Sequence, residues 1–129
     1  MENGKRRILV IGQSSPLVEG VSDLLQLVGY QVNTSATWAE TEHTMCFTPP
    51  NLVIVDLSNE EPEVYRLSEQ IRDTPRWSGV PLLFVSFSGD DRISELQHSN
   101  NGHDARLHYY AHTLLGMDRL IDKVQACLS

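Results

Sequence analysis

Short apolar runs alternate with amphipathic stretches along the 129-residue chain. Five runs rich in β-branched and aromatic residues predict strands at residues 8–11, 30–34, 52–57, 81–87 and 105–110. The first, third and fourth runs (ILVI, LVIV and LLFV) are continuously hydrophobic and do not alternate with polar residues. Such runs are typical of strands covered on both faces, so these three strands should lie at the centre of a parallel sheet.

Helical periodicity fills the segments between the predicted strands. The clearest stretch starts near Pro16, repeats apolar residues every three or four positions, and ends at Gly29. A second helix should begin at Thr37 and Glu40, which have capping-box spacing, and end before Pro49. Further helices are predicted over residues 62–73, 91–97 and 115–128.

The order of these elements predicts an α/β fold. Strand and helix alternate five times, with no internal repeat and no linker long enough to divide the chain, which indicates a single domain over residues 1–129. Right-handed crossovers then give a doubly wound, flavodoxin-like sheet of five parallel strands in the order 2-1-3-4-5. In such a sheet the functional crevice lies outside the carboxyl ends of strands one and three.

Composition narrows the functional classes. Ten Lys and Arg against seventeen Asp and Glu give a net charge of -7, which argues against a nucleic-acid-binding surface. No apolar run is long enough to span a membrane, and Cys46 and Cys127 lack metal or redox spacing, so we expect a cytoplasmic protein with reduced thiols. The sequence has no nucleophile elbow, phosphate loop or dinucleotide fingerprint, so we expect a binding protein and not an enzyme. The five histidines show no regular ligand spacing and predict no metal site.

The residues at the crevice follow from the predicted strand ends. Strand one is followed by Gly12 and Gln13, strand three ends around Asp56, and strand four ends at Ser86 and Phe87. Asp56 carries the single charge in this set. It could be a reactive acid, or it could simply cap a turn at the end of its strand.

With these residues in place, the chain resembles the receiver domains of two-component response regulators. The resemblance covers nearly the whole chain and is carried by NLVIVDL at residues 51–57, by PLLFVS at residues 81–86, and by Gly102 before strand five. It implies that Asp56 occupies the phosphoacceptor position and that Ser86 supplies the hydroxyl placed against the phosphoryl group. It also implies a protein partner, such as a histidine kinase or a downstream output protein.

Several positions depart from the receiver pattern. Gly12 and Gln13 stand where the family has an acidic pair that holds a divalent cation, so we expect Mg²⁺ binding to be weak or absent. Tyr109 is aligned with the family's phosphoryl-contacting lysine, and Arg106 with its switch aromatic. Phe87 follows the strand-four hydroxyl, where the family commonly has a small residue, and its ring could cap the acceptor.

These departures favour an atypical receiver domain that signals by protein contacts. We expect no conventional Mg²⁺-dependent phosphorylation and no bound cofactor. By resemblance to the family, the docking surface is formed by the fourth helix, the fifth strand and the fifth helix, and it carries Arg106, His108 and Tyr110. The same surface could pair with a second copy of the chain, because aromatic groups are enriched at protein interfaces.

Two other functions remain open at this point. One is a phosphorelay domain in which Asp56 still accepts a phosphoryl group. The other is a small-molecule sensor whose uncharged crevice uses hydrogen bonds from Gln13, Ser86 and Tyr109.

Overall fold

The computed structural model of the chain describes most of its length. The described residues are 6–12, 16–45, 49–57, 62–86, 92–100, 102, 104–111 and 117–128. Two residues predicted to line the crevice, Gln13 and Phe87, lie outside these ranges.

Strands and helices alternate in the predicted order. The strands within the described ranges are β1 (Arg7–Ile11), β2 (Gln31–Ser35), β3 (Leu52–Asp56), β4 (Leu82–Ser86) and β5 (Leu107–Ala111). The helices are α1 (Pro16–Val28), α2 (Trp38–Met45), α3 (Pro62–Arg72), α4 (Arg92–Asn100) and α5 (Met117–Leu128), and a short 3₁₀ helix covers Pro75–Trp77. All strands pair in parallel, in the order β2-β1-β3-β4-β5. The predicted doubly wound, flavodoxin-like topology is confirmed.

Apolar layers cover both faces of the sheet. α1 and α5 pack on the face to which Ile54 and Val85 point, which we call the α1/α5 face. α3 and α4 pack on the opposite face, to which Val55 and Phe84 point, which we call the α3/α4 face. Every residue of β3 and β4 is buried, which explains why these strands are apolar without interruption.

Local hydrogen bonds explain where α1 ends and where α2 begins. α1 stops at Gly29, whose φ of 114° is unfavourable for other residues, and the N–H of Tyr30 donates to the Leu25 carbonyl at 3.1 Å. At the start of α2 the N–H of Glu40 donates to Thr37 Oγ1 at 3.1 Å, as the capping-box spacing predicts.

Some boundaries differ from the sequence prediction. β2 lies one residue later than predicted, α4 continues to Asn100 and does not end at residue 97, and β5 begins at Leu107 and not at residue 105. The late start of β5 has a local cause. The Asn100 side chain accepts a hydrogen bond from the N–H of Asp104 and donates one to its carbonyl, at 3.0 and 3.2 Å. These bonds hold the chain in a turn, so extended pairing starts only afterwards. Among the described helices, none has both the length and the apolar character needed to cross a membrane.

Candidate functional site

Asp56 is the last residue of β3 and lies at the carboxyl edge of the sheet. β3 pairs with β1 on one side and with β4 on the other, so this carboxylate ends a central strand. Because side chains alternate along a strand, Asp56 points to the same face as Ile54, the α1/α5 face. Its side chain is 7% exposed. The fold therefore places a nearly buried carboxylate at the edge where doubly wound sheets bind their ligands.

Gly12 follows β1 directly and lies in close contact with Asp56. Its N–H donates to the carbonyl of Ser35 on β2 at 3.0 Å, which fixes the main chain at the sheet edge. A Cβ atom at position 12 would lie 3.1 Å from Cβ of Asp56 and 3.3 Å from Cγ2 of Val18. Carbon atoms in good packing contact are about 3.5–4.0 Å apart. A side chain at this position therefore requires Asp56 or α1 to shift.

Among the described residues, those around Asp56 do not fit the divalent cation that the receiver resemblance implies. Mg²⁺ takes oxygen ligands and is usually held by one or two carboxylates. Asp56 is the sole carboxylate that ends a strand in the described ranges. No three His, Cys, Asp or Glu side chains in those ranges are grouped so that they could hold a metal ion. The carboxylates of Glu19, Asp23 and Glu40 instead line a groove of about 840 Å³ between α1 and β2, which Gly12 borders and Asp56 does not.

Ser86 ends β4, next to the end of β3. Asp56 pairs with Val85, and the N–H of Leu57 donates to the Val85 carbonyl at 2.9 Å, so Ser86 lies one residue beyond the pairing partner of Asp56. Ser86 is 1% exposed, and alternation along β4 directs it to the face of Phe84. Asp56 and Ser86 therefore end neighbouring strands at the same edge of the sheet, with their side chains directed to opposite faces.

Tyr109 does not lie beside Asp56, contrary to the sequence expectation. It pairs with Phe84 on β4, and the two rings are stacked with centroids 5.6 Å apart and planes 18° apart. Phe84 in turn lies 6.3 Å, centroid to centroid, from the ring of Tyr65 on α3. At this register the side chain points to the α3/α4 face, whereas Asp56 points to the other face. The small-molecule crevice considered from the sequence therefore lacks its tyrosine.

Arg106 precedes β5, at the edge of the sheet opposite to Asp56. Its Nε donates to Oδ1 of Asp104 at 3.2 Å, and its Nη1 donates to the Ser78 carbonyl at 2.7 Å. The hydrogen bond from Arg106 lowers the pKa of Asp104 below its ordinary value, against the opposing effect of burial. The β5 aromatic that faces α3 and α4 is Tyr109, three residues later.

His108 and Tyr110 flank Tyr109 on β5 and point to the opposite face. Tyr110 packs against the α1/α5 layer, and His108 pairs with Leu83 of that layer. Both side chains are partly buried. Burial lowers the pKa of His108 below its ordinary value, and the nearby charge of Lys123 on α5 lowers it further. These two predicted interface residues therefore lie between β5 and α5.

Solved structures of response regulators and of a sensor protein match this fold over almost the whole chain. The chemotaxis response regulator CheY4 of Vibrio cholerae gives a TM-score of 0.73 at 17% identity, covering 97% of this chain and 100% of that one. A sensor protein from Polaromonas sp. JS666 gives 0.76 at 15% identity, covering 97% of both chains. A CheY-like receiver domain protein from Methanospirillum hungatei JF-1 gives 0.71 at 20% identity, covering 97% of this chain and 94% of that one.

Curated relatives share sequence with part of the chain. Probable transcriptional regulators named ycf27 from Cyanophora paradoxa and Pyropia yezoensis are 28% and 27% identical to it over 99 residues, or 75% of this chain. The chain spans about 40% of the length of these relatives. No protein-family model matches the sequence. The chain therefore has the fold of CheY-like receiver domains.

Proposed function

We propose that this chain is a receiver domain that transmits a signal by binding other proteins and does not use conventional Mg²⁺-dependent phosphorylation. The observation that carries the proposal is that Gly12, in close contact with Asp56, brings no carboxylate to the place where the receiver resemblance implies an acid. The proposal includes no enzymatic activity and no cofactor. It assigns the domain to the cytoplasm, together with its signalling partners.

The lack of acidic residues at positions 12 and 13 should weaken Mg²⁺ binding for electrostatic reasons. At an effective dielectric constant of about 20, a unit charge about 4 Å from an ion contributes roughly 4 kcal/mol per unit of ion charge, before desolvation. The desolvation cost of the carboxylates themselves offsets part of this attraction. Loss of two such charges should still weaken Mg²⁺ binding by orders of magnitude. Phosphoryl transfer would be impaired as well, because its catalysis depends on positioning and on charge stabilisation by the metal.

The proposed docking surface is formed by α4, β5 and α5. In the described sheet β5 is an edge strand, since it pairs with β4 alone. Arg106 precedes this strand, and His108 and Tyr110 lie between it and α5. The curated relatives are named as probable transcriptional regulators and are longer than this chain, which supports an output domain as the partner. A histidine kinase or a second copy of the chain would use the same surface.

Amide NMR during a Mg²⁺ titration tests the proposal. We expect no saturable shifts at Gly12, Val55 or Leu57 in the millimolar range, and the same small general shifts in the Asp56→Asn variant. The variant is a close control, because it removes one charge and keeps the shape of the side chain. Saturable shifts around Gly12 and Leu57 that disappear in Asp56→Asn would contradict the proposal.

A phosphorelay function is the second candidate, and the placement of Asp56 favours it. The carboxylate lies at the carboxyl edge of the sheet, beside the strand that ends in Ser86. Incubation with acetyl phosphate followed by intact mass measurement distinguishes the two functions. An adduct of one phosphoryl group that is absent from Asp56→Asn would support phosphorelay and exclude the first proposal.

A further inference from the structure

A cavity of about 300 Å³ lies on the α3/α4 face of the sheet, opposite the face to which Asp56 points. α3, α4, β4 and β5 contribute its walls. Its apolar lining consists of three aromatic rings and two leucines: Tyr65, Phe84, Tyr109, Leu96 and Leu107. This volume lies at the small end of the range for small-molecule sites.

Arg72, the last residue of α3, brings a guanidinium group to this cavity. Its Nε is buried, and no described residue accepts a hydrogen bond from it. Its Nη2 lies 3.5 Å from Oδ2 of Asp104, but Arg106 already donates to the two oxygens of that carboxylate at 3.2 and 3.1 Å. Two guanidinium groups therefore share one carboxylate. Asp104 can neutralise at most one of these two positive charges, so a net positive charge remains beside the cavity.

The other described polar residues that line the cavity, Tyr65, Ser99, Asn100 and Tyr109, accept no hydrogen bond from Nε of Arg72. Both ends of the Asn100 side-chain amide are hydrogen-bonded to the backbone of Asp104. Burial raises the pKa of Tyr109, so that its phenol stays neutral and can donate a hydrogen bond. Within the described part of the chain, the residues that line the cavity carry one positive charge and no carboxylate. An anion that enters would therefore meet donors and apolar walls.

We propose that this cavity binds a small aromatic carboxylate, whose charge pairs with Arg72 and whose ring packs against Phe84 and Tyr109. A carboxylate matches the fork of a guanidinium group with two parallel hydrogen bonds. Aromatic rings gain from offset stacking in addition to their burial. A ligand at this position contacts α3, α4 and β5 together, so it would stabilise the helix and strand of the proposed docking surface. The site does not involve Asp56, and the proposed function stands or fails independently of it.

Benzoate is the probe, benzamide is its neutral isostere, and inorganic phosphate is an anion without a ring. Amide NMR titrations of the 129-residue chain should show saturable benzoate shifts at Arg72, Leu96 and Leu107. Benzamide and phosphate should each bind at least about tenfold more weakly than benzoate, since benzamide lacks the charge and phosphate lacks the ring. Equal affinity for benzamide or phosphate, or no benzoate binding in the millimolar range, would overturn the proposal.

Two variants test the position of the ligand. Arg72→Gln should lower benzoate affinity by about tenfold or more, whereas Arg119→Gln, the same charge change at an exposed position on α5, should not. Leu96→Phe reduces the cavity without touching the charge and should abolish benzoate binding, which keeps the test decisive if Arg72→Gln does not fold. Unchanged benzoate affinity in a folded Arg72→Gln or Leu96→Phe variant would contradict the site.

Discussion

The main chain of Gly12 lies against Asp56, so that a Cβ atom at position 12 would be 3.1 Å from Cβ of Asp56 and 3.3 Å from Cγ2 of Val18. Neither neighbour moves easily, because Asp56 ends a fully buried central strand and Val18 packs in the α1/α5 layer. Gly12→Ala should therefore lower the free energy of unfolding by about 1–3 kcal/mol, the usual cost of overpacking a filled site. Denaturant unfolding measures this change directly.

Gly20 provides the matched control for Gly12→Ala. It is exposed on α1, and a Cβ atom there would meet nothing within 4 Å. Gly20→Ala should raise the free energy of unfolding by about 0.5–1 kcal/mol, because glycine is less favourable than alanine inside a helix. A Gly12→Ala protein as stable as Gly20→Ala would show that the contact at Asp56 is not tight.

The stacking of Phe84 and Tyr109 predicts an energetic coupling across β4 and β5. A double-mutant cycle with Phe84→Leu and Tyr109→Leu should give a coupling energy of about 0.5–1.5 kcal/mol, the range for aromatic pairs beyond their burial. Tyr110, the next residue on β5, points to the other face and serves as the control. A cycle with Phe84→Leu and Tyr110→Leu should be close to additive, and coupling of the same size in both cycles would contradict the assigned faces.

The hydrogen bonds from Arg106 to Asp104 should make the free energy of unfolding depend on pH in the acidic range. The pKa of Asp104 is lower in the folded protein than in the unfolded chain, so its contribution is fully present above the unfolded value of about 3.9. This contribution is lost as the pH falls through the folded value. Arg106→Met should raise the pKa of Asp104, measured by carboxyl NMR titration, whereas Arg119→Met should leave it unchanged.

His108 should make the free energy of unfolding depend on pH in a second range, above that of Asp104. Burial and the charge of Lys123 lower its pKa, so the unfolded chain binds a proton more readily than the folded protein. The contribution of His108 is therefore fully present above about pH 6.5, the ordinary value, and is lost as the pH falls through the folded pKa. Lys123→Met should raise the pKa of His108 only partly, because burial is the larger cause. Imidazole NMR titration measures both values, and a full return to the ordinary value would contradict this order of causes.

Hydrophobic patterning was sufficient to predict the sheet. The uninterrupted apolar runs of β1, β3 and β4 reflect burial on two faces, and the alternation with helices fixes parallel pairing and strand order. Asp56 could be located as well, because a lone acid at the end of an apolar strand is visible in the sequence.

The face of each β5 residue could not be predicted. The strand LHYYA has amphipathic side chains at three successive positions, so no alternation of apolar and polar residues marks which ones face α3 and α4. Pairing of Tyr109 with Phe84 resolves the faces, and that register depends on the turn held by Asn100 and Asp104. The close contact between Gly12 and Asp56 could not be predicted either. It depends on the distance between the ends of two different strands, which the spacing of residues in the sequence does not determine.

The most direct test of the account adds beryllofluoride and Mg²⁺, which together mimic a phosphorylated aspartate, while amide NMR follows the whole chain. If Asp56 does not bind Mg²⁺, the amide resonances of Gly12 and Leu57 should show no saturable shifts, and those of α4 and β5 should stay unchanged. The opposite result is equally clear. Stoichiometric binding at Asp56, with shifts that extend to Tyr109 and α4, would contradict the central claim.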